Sequence, residues 1–340
     1  MRKIRFADYL KDYLNYNNIT NKDFANRIGI SQKHLIEILS GESELSTNII
    51  ENISIVTNIP SDYIYRIELN YKLETEITNY LEKNKLTQTE YLNKFNYKYL
   101  ITNSWIDFID KTDKMEIIKD ILKYLRVRTP EKVYEIDENI FFKSTNDKPE
   151  LLLLWLEKCY RETLKQKVKK YNKNNIDYLV NFIKQEANKN NFNEQLLIEK
   201  FNENGIALVI KEDIPGSKIR GAFKVHKNVP AVYITYKHKR IADIYFALLH
   251  ELAHCKSDFN KAKSTNLISF YDVEESRDKE AYNWMVEEKY YNEIKSNKTY
   301  DIEKENRYPK SFIVYRLAHD KIISYSSKKY QKYNTIISNQ

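Results

Sequence analysis

The spacing of apolar residues predicts helices over most of the chain and a short strand-rich segment in its C-terminal half. Apolar residues recur at helical spacing across 117–125 and 151–156. Between residues 205 and 235, short apolar runs alternate with turn residues, as they do in strands and hairpins. The pattern therefore predicts an α+β fold that is mostly helical and contains one small β-sheet.

Three apolar runs define the predicted sheet. Residues 205–210 form one strand, and residues 221–226 and 231–235 form a hairpin around the turn at 227–230. A small sheet of this kind exposes an edge strand, to which an extended peptide adds through main-chain hydrogen bonds. A hairpin with a purely structural role fits the same pattern.

Two short helices near the N-terminus carry end signals in the sequence. Thr20 is a predicted N-cap of the first helix, and Gly29 ends that helix. Ser31 is the predicted cap of the second helix, which runs through Ser40 and stops at Gly41. Two short helices joined by a glycine turn are typical of a helix-turn-helix.

The first turn of the second helix carries the predicted DNA contacts. In a helix-turn-helix, these residues reach base edges in the major groove of double-stranded DNA. They are Gln32, Lys33 and His34, with Glu37 one turn further on. A glutamine pairs with adenine through two hydrogen bonds, and a lysine reaches guanine or phosphate.

The N-terminal stretch resembles a known class of DNA-binding domain. Ala25, residues 29–31 and residues 39–41 resemble the Xre/Cro-like helix-turn-helix class, and the stretch to residue 63 resembles HigA-type antitoxin domains. The resemblance implies that residues 1–72 bind a two-fold operator, as a homodimer if they dimerise. The alternative is a helical module that no longer binds DNA.

Residues 250–254 read His-Glu-Leu-Ala-His. On a helix, His250 and His254 lie one above the other, so that both imidazoles can bind one Zn²⁺. Glu251 projects beside the metal, where it can take a proton from water. The preceding residues, 241–249, are apolar on nearly every side, which places this helix in a core. Polar groups at its end then need a partner, and a metal supplies one.

A third protein ligand completes an open catalytic zinc site. Residues 278–285 predict a second helix with a stripe of apolar residues, and Glu280 lies just before that stripe, where it could face the first helix. Glu280 is therefore a candidate third ligand, and an ordinary solvated carboxylate fits the same position. Three nearby acids compete with it: Glu274, Glu275 and Asp278.

The two segments together resemble the ImmA/IrrE group of zinc metallopeptidase domains. The resemblance rests on the His-Glu-x-x-His motif followed by an acid-x-Glu-Ala helix, with Glu280 26 positions after His254. It implies that His250, His254 and Glu280 bind zinc and that Glu251 is the catalytic base. The chain departs from the usual pattern at Asp278, where a glutamate is common.

The chain is accordingly divided into three predicted parts. Residues 1–72 form the DNA-binding domain, residues 73–172 a helical connecting or sensor region, and residues 173–340 the peptidase domain with a helical tail. No catalytic group stands out in the middle region. His226, in the predicted hairpin, is a weak candidate for stabilising an oxyanion.

Composition limits the cellular setting. No apolar run approaches the 18 or so residues that a membrane-spanning helix needs. The first residues are charged, and there are only two cysteines, so neither a signal peptide nor a disulfide framework is indicated. A cytoplasmic protein without a membrane partner is expected. The net charge of +8 is compatible with nucleic-acid binding.

The sequence favours a DNA-binding transcriptional regulator with a zinc-dependent endopeptidase domain. By resemblance, the substrate is a specific partner protein such as a repressor or an antitoxin. The alternative is a repressor or antitoxin that cuts nothing and uses a peptidase-like domain to bind its partner.

Overall fold

A computed structural model describes residues 5–135, 148–236, 239–264, 271–297 and 300–337. The chain forms two compact units. The first contains residues 1–92 and 107–133, and the second contains residues 93–106 and 134–340. The described residues are mostly helical and include one three-stranded sheet, which confirms the predicted fold class.

The helices up to residue 133 are α1 (Phe6–Tyr16), α2 (Asn21–Ile28), α3 (Gln32–Ser40), α4 (Thr47–Thr57), α5 (Ser61–Lys83), α6 (Gln88–Lys94), α7 (Tyr97–Thr102), α8 (Lys114–Tyr124) and α9 (Pro130–Val133).

The later elements are α10 (Pro149–Thr163), α11 (Ile176–Asn188), α12 (Glu194–Glu203), β1 (Ala207–Lys211), β2 (Gly221–His226), β3 (Val229–Thr235), α13 (Ile241–Ser257), α14 (Phe259–Ser264), α15 (Tyr271–Met285), α16 (Glu288–Ser296), α17 (Lys310–His319) and α18 (Lys328–Tyr333). Short 3₁₀ turns lie at Lys173–Asn175 and Ile302–Lys304. Among the described residues, none of these helices combines the length and apolarity that crossing a membrane requires.

The predicted helix-turn-helix is confirmed at both of its helices. The hydroxyl of Thr20 accepts a hydrogen bond from the backbone of Asp23 at the start of α2, and Ser31 caps α3 in the same way. Each helix ends on a glycine in the left-handed region, with φ of +74° at Gly29 and +92° at Gly41. Local capping chemistry therefore fixes where both helices begin and end.

Helices α1 to α5 share one apolar core. Its centre consists of residues that are fully buried, namely Leu10, Phe24, Ala25, Leu35, Ile38, Ile53 and Ile64. Burial of one face of α3 leaves the opposite face of that helix exposed to solvent, which is where a recognition helix meets DNA.

The sheet has the strand order β1-β3-β2. Strand β1 pairs with β3 in parallel, and β2 pairs with β3 antiparallel through a two-residue turn at Lys227 and Asn228. Both turn residues have positive φ, 48° and 71°, as a tight hairpin turn requires. The three strands predicted from the apolar runs are confirmed, with small shifts at their ends.

Helices cover both faces of the sheet. Successive side chains of a strand point to opposite faces, and Val232 packs into the core that contains the apolar residues of α13. The neighbouring Tyr233 faces α10 instead, where its ring meets Trp155 edge-on at 6.2 Å and its hydroxyl accepts a hydrogen bond from Thr163. Helix α13, which carries the His-Glu-x-x-His motif, is therefore held directly against the sheet.

The compact units do not follow the predicted boundaries at residues 72 and 172. Helix α5 continues through residue 72 to Lys83. Residues 73–172, predicted as one connecting region, are distributed over both units, because α8 belongs to the first and α10 to the second. Helix α10 belongs there because its leucines and Trp155 are buried beside the sheet.

We expect Gly205→Ala to destabilise the second unit strongly. Gly205 has a φ of +84°, and an added Cβ would lie 2.4 Å from the Cα of Tyr171. The left-handed conformation and the backbone clash together cost about 2–5 kcal/mol. Tryptophan fluorescence during urea unfolding measures this, because all three tryptophans lie in the second unit.

Gly29→Ala is the matched control. Gly29 has a similar φ of +74°, but an added Cβ meets nothing within 4 Å. The expected cost is about 1 kcal/mol, visible by circular dichroism. Equal losses of stability at the two glycines would contradict the close approach of the chain at Gly205.

Candidate metal centre and DNA-binding face

Helix α13 places the three polar residues of the His-Glu-x-x-His motif at the edge of the core. Leu248, Leu249 and Leu252 are fully buried, so the orientation of the helix is fixed by packing. His250 and His254 are one turn apart, and their Nε2 atoms are 3.2 Å apart. The predicted meeting of these two imidazoles is therefore observed.

The third group beside the imidazoles is Glu274 of α15. Its carboxylate oxygens lie 3.0 Å from Nε2 of His250 and 3.5 Å from Nε2 of His254. These three side chains form a group of donors that could hold a metal ion, with all ligand atoms within 4.8 Å of one another. Glu274 was a competitor of Glu280 in the sequence, not the predicted ligand.

Each imidazole is also held at its other ring nitrogen. Nδ1 of His250 lies 2.8 Å from Asp278 of α15, and Nδ1 of His254 lies 2.8 Å from Asp258, just after α13. A carboxylate accepts hydrogen bonds and cannot donate them when ionised. Each Nδ1 therefore carries the hydrogen, which leaves each Nε2 with a lone pair in the neutral ring.

Two lone pairs that face each other at 3.2 Å need a positive charge between them. A proton on one ring supplies this charge, and so does a metal ion. In tetrahedral zinc sites, the Zn–N distance of about 2.0–2.1 Å places two nitrogens about 3.3–3.4 Å apart. The donor set of two imidazoles and one carboxylate, with both Nδ1 atoms on carboxylates, therefore fits zinc.

The acidic surroundings favour a cation at the same place. Burial lowers the pKa of His250, but the carboxylates of Asp278 and Glu274 outweigh burial and raise that pKa to about 10. Burial raises the pKa of Glu274, and the two histidines reverse this and hold it well below its usual range. The carboxylates around the two histidines therefore favour a positive charge at this site.

Glu251 lies beside the histidines in a nearly closed environment. It is 7% exposed, and burial raises its pKa, with the two histidines partly opposing the rise. Its carboxylate lies against Gly221 of β2, where an added Cβ would be 2.6 Å from Oε1. The glycine thus leaves the space that the carboxylate of Glu251 occupies.

The structure places Glu280 away from the two histidines. Its carboxylate lies 3.4 Å from Lys256 and 3.7 Å from Arg277, and it belongs to no potential metal-binding group among the described residues. The reason is helical phase. Glu280 is six residues after Glu274, about 240° around the helix, whereas the core-facing Ala281 is seven residues after it.

The other candidate acids of α15 have distinct positions. Asp278 holds His250 at Nδ1, as described above. Glu275 is exposed and forms an ion pair of 2.7 Å with Lys279. Sequence reasoning missed Asp258, although it is four residues after His254 and continues the same stripe of α13.

His226 lies on the opposite face of the sheet from Glu251 and the zinc-ligand candidates. Its Nε2 is 2.7 Å from the hydroxyl of Tyr233, and its ring packs on Tyr160 of α10. Burial, aided by Lys224, lowers its pKa to about 4. His226, the residue suggested for an oxyanion, therefore lies away from the candidate site, because side chains alternate along β2 and only the other face meets α13.

The predicted DNA contacts lie together on the exposed face of α3. Gln32 is exposed, and the side chain of Lys33 is 88% exposed. Glu37 lies 3.8 Å from Lys33 and 3.4 Å from His34, so the three side chains form a small polar group. These side chains are displayed to solvent at the helix position that reads the major groove.

Comparison with known proteins identifies the N-terminal domain. Residues 10–64 match the helix-turn-helix family model. No curated protein and no solved structure matches the chain. The family match and the exposed face of α3 support a DNA-binding transcriptional regulator with an N-terminal helix-turn-helix of the Xre type.

We expect Glu274→Ala to lose zinc and Glu280→Ala to keep it. Glu274 lies against both Nε2 atoms, whereas Glu280 is bound to Lys256 and Arg277. The measurement is zinc content per chain after dialysis against a weak chelator, with Glu275→Ala as the exposed control. Full zinc content in Glu274→Ala, or loss in Glu280→Ala alone, would return the third position to Glu280.

We expect Gln32→Ala and Lys33→Ala to affect DNA binding in different ways. Gln32→Ala removes a contact to a base and relaxes sequence preference, whereas Lys33→Ala weakens binding to all sequences and reduces its salt dependence. Footprinting of the full chain on DNA upstream of its own coding sequence measures both effects. Arg66→Ala, on α5 and paired with Asp62, is the control.

Protection unchanged in both α3 variants would place the DNA contacts elsewhere. Absence of any protected site at low salt would show that the domain has lost DNA binding.

Proposed function

We propose that this chain is a DNA-binding regulator whose second unit is a zinc-dependent endopeptidase. The observation that carries the proposal is the convergence of His250, His254 and Glu274, with Glu251 buried beside them. The carboxylates that hold both Nδ1 atoms support a metal role, because they direct both Nε2 atoms toward each other and toward Glu274.

Glu251 is the proposed general base. When bound in such a site, zinc lowers the pKa of water and polarises a carbonyl group. The carboxylate of Glu251 takes the proton of the attacking water and later gives it to the leaving amine. Burial raises the pKa of this carboxyl, and a raised pKa suits a group that both takes and returns a proton near neutral pH.

The backbone of β2 supports a place for an extended substrate. In an antiparallel pair, hydrogen-bonded and non-bonded residue pairs alternate, and the pair that closes a two-residue hairpin is bonded. That pair is His226 and Val229. Because bonded and non-bonded pairs alternate, the backbone N–H and C=O groups of Gly221, Phe223 and Val225 point away from β3. Val225 faces Pro230, which has no N–H to donate, in agreement with this register.

The two edges of the sheet differ. At the β1 edge, the amide of Gln166 donates to the carbonyl of Leu208 and accepts from its N–H, at 2.7 and 3.3 Å, as a neighbouring strand would. At the β2 edge, outside the ladder to β3, the described residues give no backbone partner to Gly221, Phe223 or Val225. This edge of β2, a strand against which α14 also packs, is therefore the proposed place for an added strand.

The β2 edge also runs past the proposed catalytic groups. Gly221 contacts Glu251, and the ring of Phe223 stacks on His254 with 10° between the planes at 6.2 Å. A peptide paired with β2 would be extended and would pass beside both residues. Pairing with β2 would hold the main chain of a polypeptide substrate beside the proposed catalytic groups.

The proposed substrate is a specific partner, such as a repressor or antitoxin-like protein. The helix-turn-helix match supports DNA binding, and other regulators bind DNA as well. Zinc is the proposed cofactor, and the partner protein and operator DNA are the proposed macromolecular ligands, bound by a monomer or a homodimer.

We expect Glu251→Gln to keep zinc and abolish cleavage. The amide has nearly the shape of the carboxylate but takes no proton at neutral pH, so the rate should fall by about 10²–10⁴-fold. Cells that express either the original chain or the variant are compared by labelling new protein N-termini. A partner cleaved only by the original chain is the expected result.

Glu275→Gln is the matched control, because Glu275 is an exposed glutamate of α15 that pairs with Lys279. It should cleave the partner as the original chain does. Cleavage by Glu251→Gln at the original rate would remove this residue from the mechanism. Bound zinc with no new N-terminus in any sample would favour a regulator that binds its partner without cutting it.

A further inference from the structure

Arg277 of α15 crosses to the end of α13 and binds Asp258. Its Nε donates to Oδ2 at 2.8 Å, and its Nη2 donates to Oδ1 at 3.1 Å. Both side chains are largely buried, with 13% of Arg277 and 7% of Asp258 exposed. This is a paired, two-bond contact between a guanidinium and a carboxylate.

The same carboxylate holds a proposed metal ligand. Oδ2 of Asp258 lies 2.8 Å from Nδ1 of His254, so this oxygen is shared between the histidine and Nε of Arg277. The guanidinium thereby fixes the orientation of the carboxylate, and the carboxylate fixes the ring plane of His254. Carboxylates that hold metal-binding histidines in this way change metal affinity by about 10–100-fold when removed.

We propose that Arg277 is a positioning residue that sets the metal affinity of the site through Asp258. The inference rests on the proposed metal centre and adds a residue that touches neither the metal nor the substrate. A buried carboxylate needs its hydrogen bonds satisfied. Without Arg277, Asp258 would turn toward other donors, and His254 would lose its fixed orientation.

The contact also sets the position of a second ligand. Arg277 and Glu274 are three residues apart on α15, so both lie on neighbouring positions of one helix face. Binding of Arg277 to the end of α13 therefore holds the helix that presents Glu274 to the two histidines. One ion pair fixes the relative placement of ligands that come from two helices.

Glu280 belongs to the same series of ion pairs. It lies 3.7 Å from Nη1 of Arg277, on the side away from Asp258, and 3.4 Å from Lys256. It restrains the guanidinium and contacts no histidine. The glutamate that the sequence singled out thus lies three contacts away from His254.

A lysine at position 277 cannot form the two-bond contact that Arg277 makes with Asp258. A guanidinium presents two parallel N–H groups to one carboxylate, whereas an ammonium is a single point of charge. Arg277→Lys therefore keeps the charge while losing the fixed geometry. This conservative variant separates the two contributions.

The test is a double-mutant cycle on zinc affinity, measured by competition with a chromophoric chelator. The variants are Arg277→Met, Arg277→Lys, Asp258→Asn and Arg277→Met with Asp258→Asn, and thermal unfolding of each metal-free protein is followed in parallel. We expect Asp258→Asn to weaken zinc binding about 10–100-fold and Arg277→Met about tenfold. The effect of Arg277→Lys should be intermediate.

The decisive comparison is within the Asp258→Asn background. If Arg277 acts through Asp258, adding Arg277→Met there changes zinc affinity no further. Equal effects of Arg277→Met with and without Asp258, or unchanged affinity in both Arg277 variants, would overturn the proposal. Lys279→Met, on the exposed side of α15, is the control and should bind zinc as the original chain does.

The two proposals fail in different ways. An original chain that binds no zinc overturns the metal centre and the role of Arg277 together. Normal zinc binding by the original chain and by every Arg277 variant leaves the metal centre standing and removes Arg277 alone.

Discussion

The candidate metal centre of the second unit depends on one contact, the approach of two imidazole Nε2 atoms to 3.2 Å. Each ring is fixed at Nδ1 by a carboxylate, so neither can turn its lone pair away. The contact is stable only with a positive charge between the rings, and Glu274 adds a negative group on the same side. Because α13 is buried against the sheet, this positive charge is held at a fixed place in the folded unit. A metal ion bound by both Nε2 atoms and the carboxylate of Glu274 would satisfy all three groups at once.

Helix α15 supplies three side chains of the site, namely Glu274, Asp278 and Arg277. Its core stripe runs through Glu274, Asp278, Ala281 and Met285, at the spacing of one helix face. The apolar end of the stripe packs in the core, and the acidic end reaches the histidines. Arg277, beside the stripe, binds the end of α13. The same face therefore stabilises the unit and supplies groups with chemical roles.

Two features of the structure, the helix-turn-helix and the paired histidines, were predictable from local sequence signals. The helix-turn-helix follows from caps at Thr20 and Ser31, and the meeting of His250 and His254 follows from their spacing. The third acid did not follow, because resemblance pointed to Glu280 and the phase of α15 depends on tertiary packing. Extending the stripe of Ala281 back by seven residues gives Glu274. The role of α10 against the sheet is also tertiary, since its leucines suit any core. The zinc, the cleavage and the partner protein stay predictions.

The central claim is that one metal ion is held by His250, His254 and Glu274. X-ray diffraction from zinc-loaded crystals, recorded on both sides of the zinc absorption edge, tests it most directly. We expect one anomalous peak between the two Nε2 atoms and the carboxylate of Glu274, with Glu280 still bound to Arg277 and Lys256. A peak bound by Glu280, or no peak at the two histidines, would contradict it.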